Sequence, residues 1–215
     1  MDSCMRLLTS ACIILMVFPS LACSKGGGKN DDSMDARVHM SIGNVSVNKL
    51  INPKKGDRIL AGDLIETGSD GICEIVIGSG TFLRMSKNTV IIYNISSSSN
   101  LIQLRKGSLA GLTKKPMFRD YQITTNTLMA GVNEGSYFVN AENPGNTYIC
   151  ICKGRINLQS RGALSGDTIT ASSHVASRFT LDEKGLPGVD RNPGQLYHTE
   201  AVYREMERKL SGREL

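Results

Sequence analysis

The strongest constraint on the fold is a series of short segments between residues 37 and 180 in which apolar and polar residues alternate. In one segment Cys73, Ile75 and Ile77 fall on one face of an extended chain, because successive side chains of a strand point to opposite sides. Other such segments are TFLRMS, NTVIIY, LIQL, YQITT, GSYFV, TYICIC, RINL and DTITASS. Turn sequences such as GSDG, GSG and AENPGN separate them. The pattern predicts an all-β domain of short antiparallel strands, arranged as a sandwich, barrel or short solenoid.

The C-terminal part of the chain has a different pattern. Residues 181–194, LDEKGLPGVDRNPG, are rich in glycine and proline and predict a loop. Residues 195–211 predict a helix with one apolar stripe, because residues recur along it in steps of three and four: Leu196, Thr199, Tyr203, Met206 and Leu210. The stripe has two interpretations. The helix either packs on the β-domain or binds a partner.

The N-terminal segment has the pattern of an export signal. An apolar run from Leu7 to Phe18 is too short to span a bilayer, and Ser20-Leu21-Ala22 follows it. We interpret residues 1–22 as a signal peptide and Cys23 as a lipidation site at the start of a lipoprotein. Residues 23–36 are glycine-rich and charged, which is typical of a flexible tether. Ordinary secretion without a lipid is the alternative.

Three of the six cysteines lie in the β-rich region: Cys73, Cys150 and Cys152. Cys150 and Cys152 are two residues apart on an extended segment, so their thiols face the same side. The three thiols are either small buried side chains or include one disulfide between Cys73 and one of the other two. We predict no metal site, because a structural zinc ion needs four nitrogen or sulphur ligands and no second pair accompanies Cys150 and Cys152.

The sequence contains no recognisable catalytic motif. It lacks the G-x-S-x-G elbow and the H-E-x-x-H pattern, and none of its three histidines stands four residues from another. The glycines of residues 62–85 fit hairpin turns rather than a phosphate-binding loop. Asp57 and Asp63 each follow a glycine, which is typical of a carboxylate that caps a turn. We therefore predict that the protein is not an enzyme and has no cofactor.

The charge of the chain is mildly basic. The net charge is +5, and lysine and arginine occur in scattered pairs such as Lys54 and Lys55. Tryptophan is absent, which argues against an aromatic stacking platform for nucleic acid. The basic pairs indicate either a solvated surface or attraction to an anionic lipid or cell-wall polymer.

Several motifs occur in an order that resembles the periplasmic domain of the FecR family. They are Leu60-x-Gly-Asp-x-Ile-x-Thr67, Gly80-Thr-x-Leu-x-Met85, Leu104-x-x-Gly-x-Leu109, Tyr121-x-Ile-x-Thr125 and Thr147-x-Ile-x-Ile, followed by Gly154-x-Ile-x-Leu158. The resemblance extends over about residues 41–160. It departs from the family at VNEGSYF, where Glu134 stands in place of an expected arginine.

The resemblance implies a β-rich binding and sensing module rather than an enzyme. Regulators of this family carry a cytoplasmic anti-sigma domain and a transmembrane helix before the periplasmic domain. Only six residues precede the apolar run here. We therefore expect a stand-alone FecR-type domain, residues 37–180, without an anti-sigma domain of its own, similar in layout to spirochaetal and other Gram-negative lipoproteins.

The expected location is the cell envelope, on the periplasmic side of the inner or outer membrane, with secretion as the alternative. The expected partners are the membrane, through the lipid, and an envelope protein, but not nucleic acid. Candidate residues for the partner surface are Asn133, Glu134, Tyr203 and Met206. The alternative function is that of a structural envelope protein whose basic pairs bind peptidoglycan or another anionic polymer.

Overall fold

A computed structural model describes residues 35–96, 99–114 and 121–212 of the chain. Within these residues, fifteen strands form one continuous hydrogen-bonded sheet, and a single helix follows near the C-terminus. The predicted all-β fold with a C-terminal helix is therefore confirmed. The predicted signal peptide and Cys23 lie outside the described residues. No helix in the described part of the chain is both long and apolar enough to cross a membrane.

The elements follow one another in a simple order. The strands are β1 (Ala36–Ile42), β2 (Val45–Val47), β3 (Leu50–Ile51), β4 (Arg58–Ile59), β5 (Asp63–Thr67), β6 (Ile72–Ile77), β7 (Thr81–Met85), β8 (Val90–Ile95), β9 (Asn100–Thr113), β10 (Tyr121–Thr124), β11 (Leu128–Asn143), β12 (Asn146–Ser160), β13 (Asp167–Ala171), β14 (Val175–Leu181) and β15 (Pro187–Asp190). The helix is α1 (Glu200–Leu210).

Two details differ from the sequence prediction. The segment 181–194, expected to be a loop, contains β15, which pairs antiparallel with β14. The helix begins at Glu200 rather than at residue 195, because Thr199 is extended and residues 195–198 lead into the helix without helical structure. At the other end, Gly212 follows the helix with a φ of 69°, as expected of a terminating glycine.

Strands β9, β11 and β12 are longer than predicted, with 14, 16 and 15 residues. Each of them changes partners midway. Residues 100–106 of β9 pair with β8, whereas residues 107–113 pair with β11. Residues 146–151 of β12 pair with β14, and residues 154–158 pair with β13. The three long strands therefore join two groups of strands into one sheet.

Glycines stand where the long strands change partners. Gly135 of β11 faces Gly154 of β12, with φ values of 131° and 102°. A Cβ on Gly135 would lie 2.2 Å from the backbone oxygen of Lys153, and a Cβ on Gly154 would lie 2.4 Å from that of Glu134. Only glycine combines these dihedral angles with such close backbone contact.

The two groups of strands share one apolar core, which we term the main core. The inward faces follow the alternation read from the sequence, with Cys73, Ile75 and Ile77 of β6 all buried. Other members, from most strands of the sheet, are Val38, Ile65, Leu83, Ile91, Ile102, Leu109, Ile123, Val139, Ile149, Ile156 and Phe179. Apolar packing of the inward faces in this one core stabilises the β-domain.

The opposite face of β7, β9, β11 and β12 forms a second cluster beneath α1, which we term the helix-covered face. It consists of Phe82, Ala110, Leu112, Phe138, Tyr148, Cys150, Cys152, Tyr203 and Met206. Tyr203 and Met206 belong to the predicted apolar stripe of α1 and are buried there. They were candidates for a partner surface, and this assignment is corrected, because the side chains pack on the protein's own sheet.

Candidate functional site

The residues singled out from the sequence fall in three different places. Cys73 is buried in the main core, whereas Cys150 and Cys152 are buried on the helix-covered face. All three thiols are free in the structure. Asn133 and Glu134 are exposed on β11, beside the bend at Gly135. The carboxylates of Asp57 and Asp63 accept hydrogen bonds from the backbone N–H groups of Lys54 and Leu60, at 2.8 and 2.7 Å, which confirms that they cap turns.

Two histidines join Cys150 and Cys152 at the helix-covered face. His174 lies in the turn between β13 and β14, and His198 lies immediately before Thr199, the residue that caps α1. One ligand atom from each of the four residues lies within 4.8 Å of the other three. We term this group the Cys-His cluster.

The distances within the Cys-His cluster are short. The sulphur of Cys150 lies 3.4 Å from Nδ1 of His174, and the sulphur of Cys152 lies 3.3 Å from Nε2 of His198. The two imidazole nitrogens are themselves 3.3 Å apart. Sequence separations of 24 and 46 residues divide each cysteine from its histidine. The cluster therefore exists only in the folded chain.

Outer hydrogen bonds orient both imidazole rings. Nδ1–H of His198 donates to the backbone oxygen of Leu196 at 2.8 Å, and Nε2–H of His174 donates to the carboxylate of Glu200 at 3.1 Å. Both partners can only accept, so each outward-facing nitrogen carries the proton of the neutral ring. The nitrogen that faces the thiols is then unprotonated on both rings.

The electrostatics of the cluster favour negative charge on sulphur. A hydrogen bond from the Cys152 thiol, followed by contacts with both imidazoles, lowers the pKa of Cys150 to about 4 against the opposing effect of burial. The same hydrogen bond, together with burial, raises the pKa of Cys152. The two thiols therefore titrate as a coupled pair that loses its protons in two separate steps.

A buried hydroxyl lies near the cysteines. Burial, followed by the influence of Cys152 and Cys150, raises the pKa of Tyr203. Its hydroxyl is buried and has no hydrogen-bond partner within the described part of the chain. The phenol remains protonated at neutral pH and can stabilise negative charge on the nearby sulphur.

An ion network holds the other end of α1. Glu74 of β6 is fully buried, and its carboxylate accepts two hydrogen bonds from Lys209, at 2.9 and 2.8 Å. Arg84 of β7 bridges Glu74 and Glu205, at 3.4 and 3.0 Å. Lys209 also pairs with Glu205 at 2.9 Å. The helix is therefore joined to the sheet by buried charge at one end and by the Cys-His cluster at the other.

The residues before α1 are also fastened to the sheet. The hydroxyl of Tyr148 donates to the backbone oxygen of Gly194 at 3.1 Å and accepts from the backbone N–H of Leu196 at 2.9 Å. The ring of Phe138 stacks on His198 with centroids 4.8 Å apart. A cavity of about 350 Å³ adjoins this stack, between the start of α1 and residues 69–72.

The hairpin formed by β2 and β3 exposes apolar side chains. Leu50 and Ile51 are 61% and 67% exposed, and among the described strands β3 pairs with β2 alone, so it lies at an edge. Leu60 is also exposed, and its backbone N–H shares the Asp63 carboxylate with the side chain of Asn48, in the turn of the hairpin. Because successive side chains of a strand point to opposite sides, Leu50 and Ile51 expose apolar surface on both faces of this edge. An exposed apolar edge strand is typical of a surface that contacts another protein.

The family model described as FecR protein matches residues 63–157. This part of the chain is therefore a FecR-type domain, as the order of the sequence motifs predicted. The match contains Cys150 and Cys152 but ends before His174 and His198. The Cys-His cluster thus combines residues from inside and outside the matched region.

Two crystal structures of a proposed anti-sigma factor from Parabacteroides distasonis ATCC 8503, at 2.50 and 1.65 Å resolution, are similar to the chain, each with a TM-score of 0.50. The first is 14% identical, with 67% of this chain and 73% of that chain covered. The second is 13% identical, with 69% and 74% covered. At these identities the likeness shows a shared fold. No curated protein matches the chain significantly in sequence.

Sequence reasoning missed the Cys-His cluster because it looked for a second pair of ligands close to the first. The only local signal was the placement of Cys150 and Cys152 on one face of a strand. His174 and His198 had no periodic relation to that strand.

Proposed function

We propose that the chain is a cell-envelope binding and sensing module of the FecR type, which acts through protein–protein contacts and is held at a membrane by a lipid on Cys23. The observation that carries the proposal is the FecR-type domain at residues 63–157. The shared fold with a proposed anti-sigma factor supports a regulatory rather than an enzymatic role.

The hairpin of β2 and β3 is the surface we assign to the protein partner. Leu50 and Ile51 offer apolar side chains on the two faces of β3, and the outer edge of β3, which pairs with no described strand other than β2, offers backbone groups. A partner strand can add to such an edge through main-chain hydrogen bonds. Asn133 and Glu134 are a second, polar candidate surface on β11.

The lipid anchor is tested first. The wild-type chain and a Cys23→Ala variant are expressed in a Gram-negative bacterium that processes lipoproteins, and intact mass and partition into detergent are measured. We expect acyl mass and detergent partition for the wild type only. An unmodified wild type that stays in the aqueous phase would refute the anchor but not the partner surface.

The partner surface is tested by cross-linking in cells. A photoreactive amino acid at Leu50 or Ile51 should yield a discrete cross-linked protein band, and the same residue at Leu164, which is fully exposed elsewhere, provides the control. A Leu50→Ser/Ile51→Ser double variant should weaken the complex at least tenfold, whereas Leu164→Ser should not. Equal cross-linking from both places would reject the hairpin as the contact surface.

An alternative function is binding of an anionic envelope polymer. The observation in its favour is that Lys54 and Lys55 stand side by side and exposed in the loop after β3. Co-sedimentation with purified peptidoglycan should then fall steeply between low and high salt, and Lys54→Glu/Lys55→Glu should abolish it. A complex that survives high salt, and is unaffected by the double variant, would support the protein partner instead.

A further inference from the structure

We propose that Cys150, Cys152, His174 and His198 bind one zinc-class divalent ion in a closed tetrahedral site that fastens the C-terminal segment to the β-domain. Two sulphur and two imidazole ligands are the donor set of structural zinc sites. The proposal is independent of the partner surface and of the lipid anchor.

The spacing of the four ligand atoms suits a tetrahedral zinc ion. Bond lengths of about 2.3 Å to sulphur and about 2.0–2.1 Å to nitrogen place tetrahedral ligands about 3.3 Å apart for two nitrogens and about 3.6 Å apart for nitrogen and sulphur. The nitrogens of His174 and His198 are 3.3 Å apart, and the two nitrogen–sulphur distances are 3.4 and 3.3 Å. Three of the six separations among the four atoms are thus close to those that one zinc ion requires, and every pair lies within 4.8 Å.

The protonation of the two imidazole rings also suits metal binding. The outer hydrogen bonds, to the Leu196 carbonyl and the Glu200 carboxylate, leave an unprotonated nitrogen on each ring facing the cluster. Metal-bound histidines commonly donate their other N–H to a carbonyl or carboxylate in this way. The two unprotonated nitrogens face each other at 3.3 Å, and one cation placed among the four atoms binds both lone pairs.

The charges of two thiolates and one dication balance in this buried site. Both sulphurs bind the dication as thiolates, so each S–H bond still present breaks and its proton leaves, while two metal–sulphur bonds form. The two thiolates neutralise the ion, and no net charge is buried. The buried hydroxyl of Tyr203, which has no other partner in the described residues, lies near the Cys152 thiolate and can donate to it.

The site is closed and therefore structural rather than catalytic. Four protein ligands complete a tetrahedron and leave no position for water or substrate. Cys150 and Cys152 are buried, whereas the side chain of His174 is 14% exposed. The ion joins β12, the β13–β14 turn and the start of α1. It thus holds residues beyond the FecR match against the matched domain.

The test uses the full chain carrying Cys23→Ala, so that the proposed lipidation site adds neither lipid nor a thiol. Cobalt(II) is titrated under reducing conditions. The expected result is a thiolate-to-cobalt charge-transfer band with the intense visible bands of tetrahedral cobalt, saturating at one equivalent and displaced by zinc. Chemical analysis of the zinc-loaded protein should give about one zinc per chain, and zinc should raise the Tm.

Matched variants assign the site. Cys150→Ser and Cys152→Ser should each reduce bound metal at least tenfold, whereas Cys73→Ser, a buried thiol in the main core, should retain one equivalent. His198→Gln should weaken the tetrahedral cobalt bands while the protein keeps its β-sheet circular dichroism. Weak octahedral bands in the parent chain, or metal content that Cys150→Ser leaves unchanged, would overturn the proposal. A disulfide between Cys150 and Cys152 in the protein isolated from cells, seen as a mass two hydrogens lighter, would also overturn it.

Discussion

The main core and the helix-covered face are built on opposite sides of the same strands, yet they differ in chemistry. On β6, Ile75 enters the main core, while its neighbour Glu74 faces α1 and pairs with Lys209. On β12, Ile149 and Ile151 enter the main core, while Cys150 and Cys152 face the Cys-His cluster. The main core is held by apolar packing. The helix-covered face also depends on buried charge and on polar ligands brought from distant parts of the chain.

The difference has an energetic consequence. Apolar packing tolerates exchange among side chains of similar size, because the interaction is not directional. A buried carboxylate or a thiol–imidazole group tolerates little, because removal of one member leaves the others without a partner. We therefore expect changes at the helix-covered face to release α1, and changes in the main core or at the strand bends to unfold the whole domain.

The largest effect is expected at the bend between β11 and β12. Gly135→Ala adds a Cβ 2.2 Å from the Lys153 oxygen at a positive φ, and it should destabilise the domain by about 4 kcal/mol from strain and overpacking together. Gly131→Ala on the same strand meets no atom closer than 3.6 Å and is the control. Urea unfolding measures both. Similar midpoints for the two variants would contradict the role of the bend.

A slightly smaller loss is expected when the buried ion network is broken. Glu74→Gln leaves Lys209 and Arg84 without a buried counter-charge and should cost about 3 kcal/mol. The exposed Glu66 of β5 provides the matched control, Glu66→Gln, which should change stability by less than about 0.5 kcal/mol. Hydrogen exchange should locate the effect of Glu74→Gln in α1. Uniform loss of protection across the strands would show that the two regions unfold together.

A pair of core truncations compares the two regions directly. Ile75→Ala and Met206→Ala both remove a fully buried apolar side chain, one from the main core and one from α1, and each should cost about 2–3 kcal/mol. We expect Ile75→Ala to lower the global urea midpoint. Met206→Ala should mainly increase hydrogen exchange in α1. If Met206→Ala lowers the global midpoint equally, α1 and the sheet form a single cooperative unit.

The smallest effect is a dependence of helix docking on pH. Lys209 foremost, and also Arg84, lower the pKa of Glu205 below its ordinary value. The stability from this group is therefore present above the ordinary glutamate pKa and is lost as the pH falls through the lowered value. Burial alone would lower the pKa of Lys209, but hydrogen bonds with Glu74 and Glu205 raise it above the ordinary lysine value. The stability that Lys209 contributes is therefore lost only as the pH rises through the raised pKa. The protection factors of α1 against hydrogen exchange, in which the intrinsic rise of the exchange rate with pH is divided out, should be highest near neutral pH.

A Glu205→Gln variant tests the acidic side of this profile. It removes the carboxylate whose protonation weakens docking, so the acid-induced fall of the α1 protection factors should begin at lower pH than in the wild type. Glu207→Gln, on an exposed part of the helix, should leave the profile unchanged. An unchanged profile in Glu205→Gln would assign the acid sensitivity to another group.

The local features of the fold followed from the sequence. Alternation of side chains predicted which residues of β6 enter the core and that Cys150 and Cys152 share a face, because the two-residue period of a strand is a property of the backbone itself. The helical stripe predicted an amphipathic C-terminal helix by the same kind of local reasoning, but it left open whether the stripe packs on the sheet or binds a partner. The motif order also predicted the FecR-type domain, because turn residues and apolar positions recur at spacings set by strand length.

Only the tertiary structure decided which distant segments meet. Glu74 and Lys209 are 135 residues apart, and His198 is 46 residues from Cys152, yet each pair is in contact. No periodicity relates such residues, because their meeting depends on strand order and on how β9, β11 and β12 bend. The sequence by itself determined the strands, their inward faces and the family of the domain. The long-range packing of α1 against the sheet created the ion network and the Cys-His cluster.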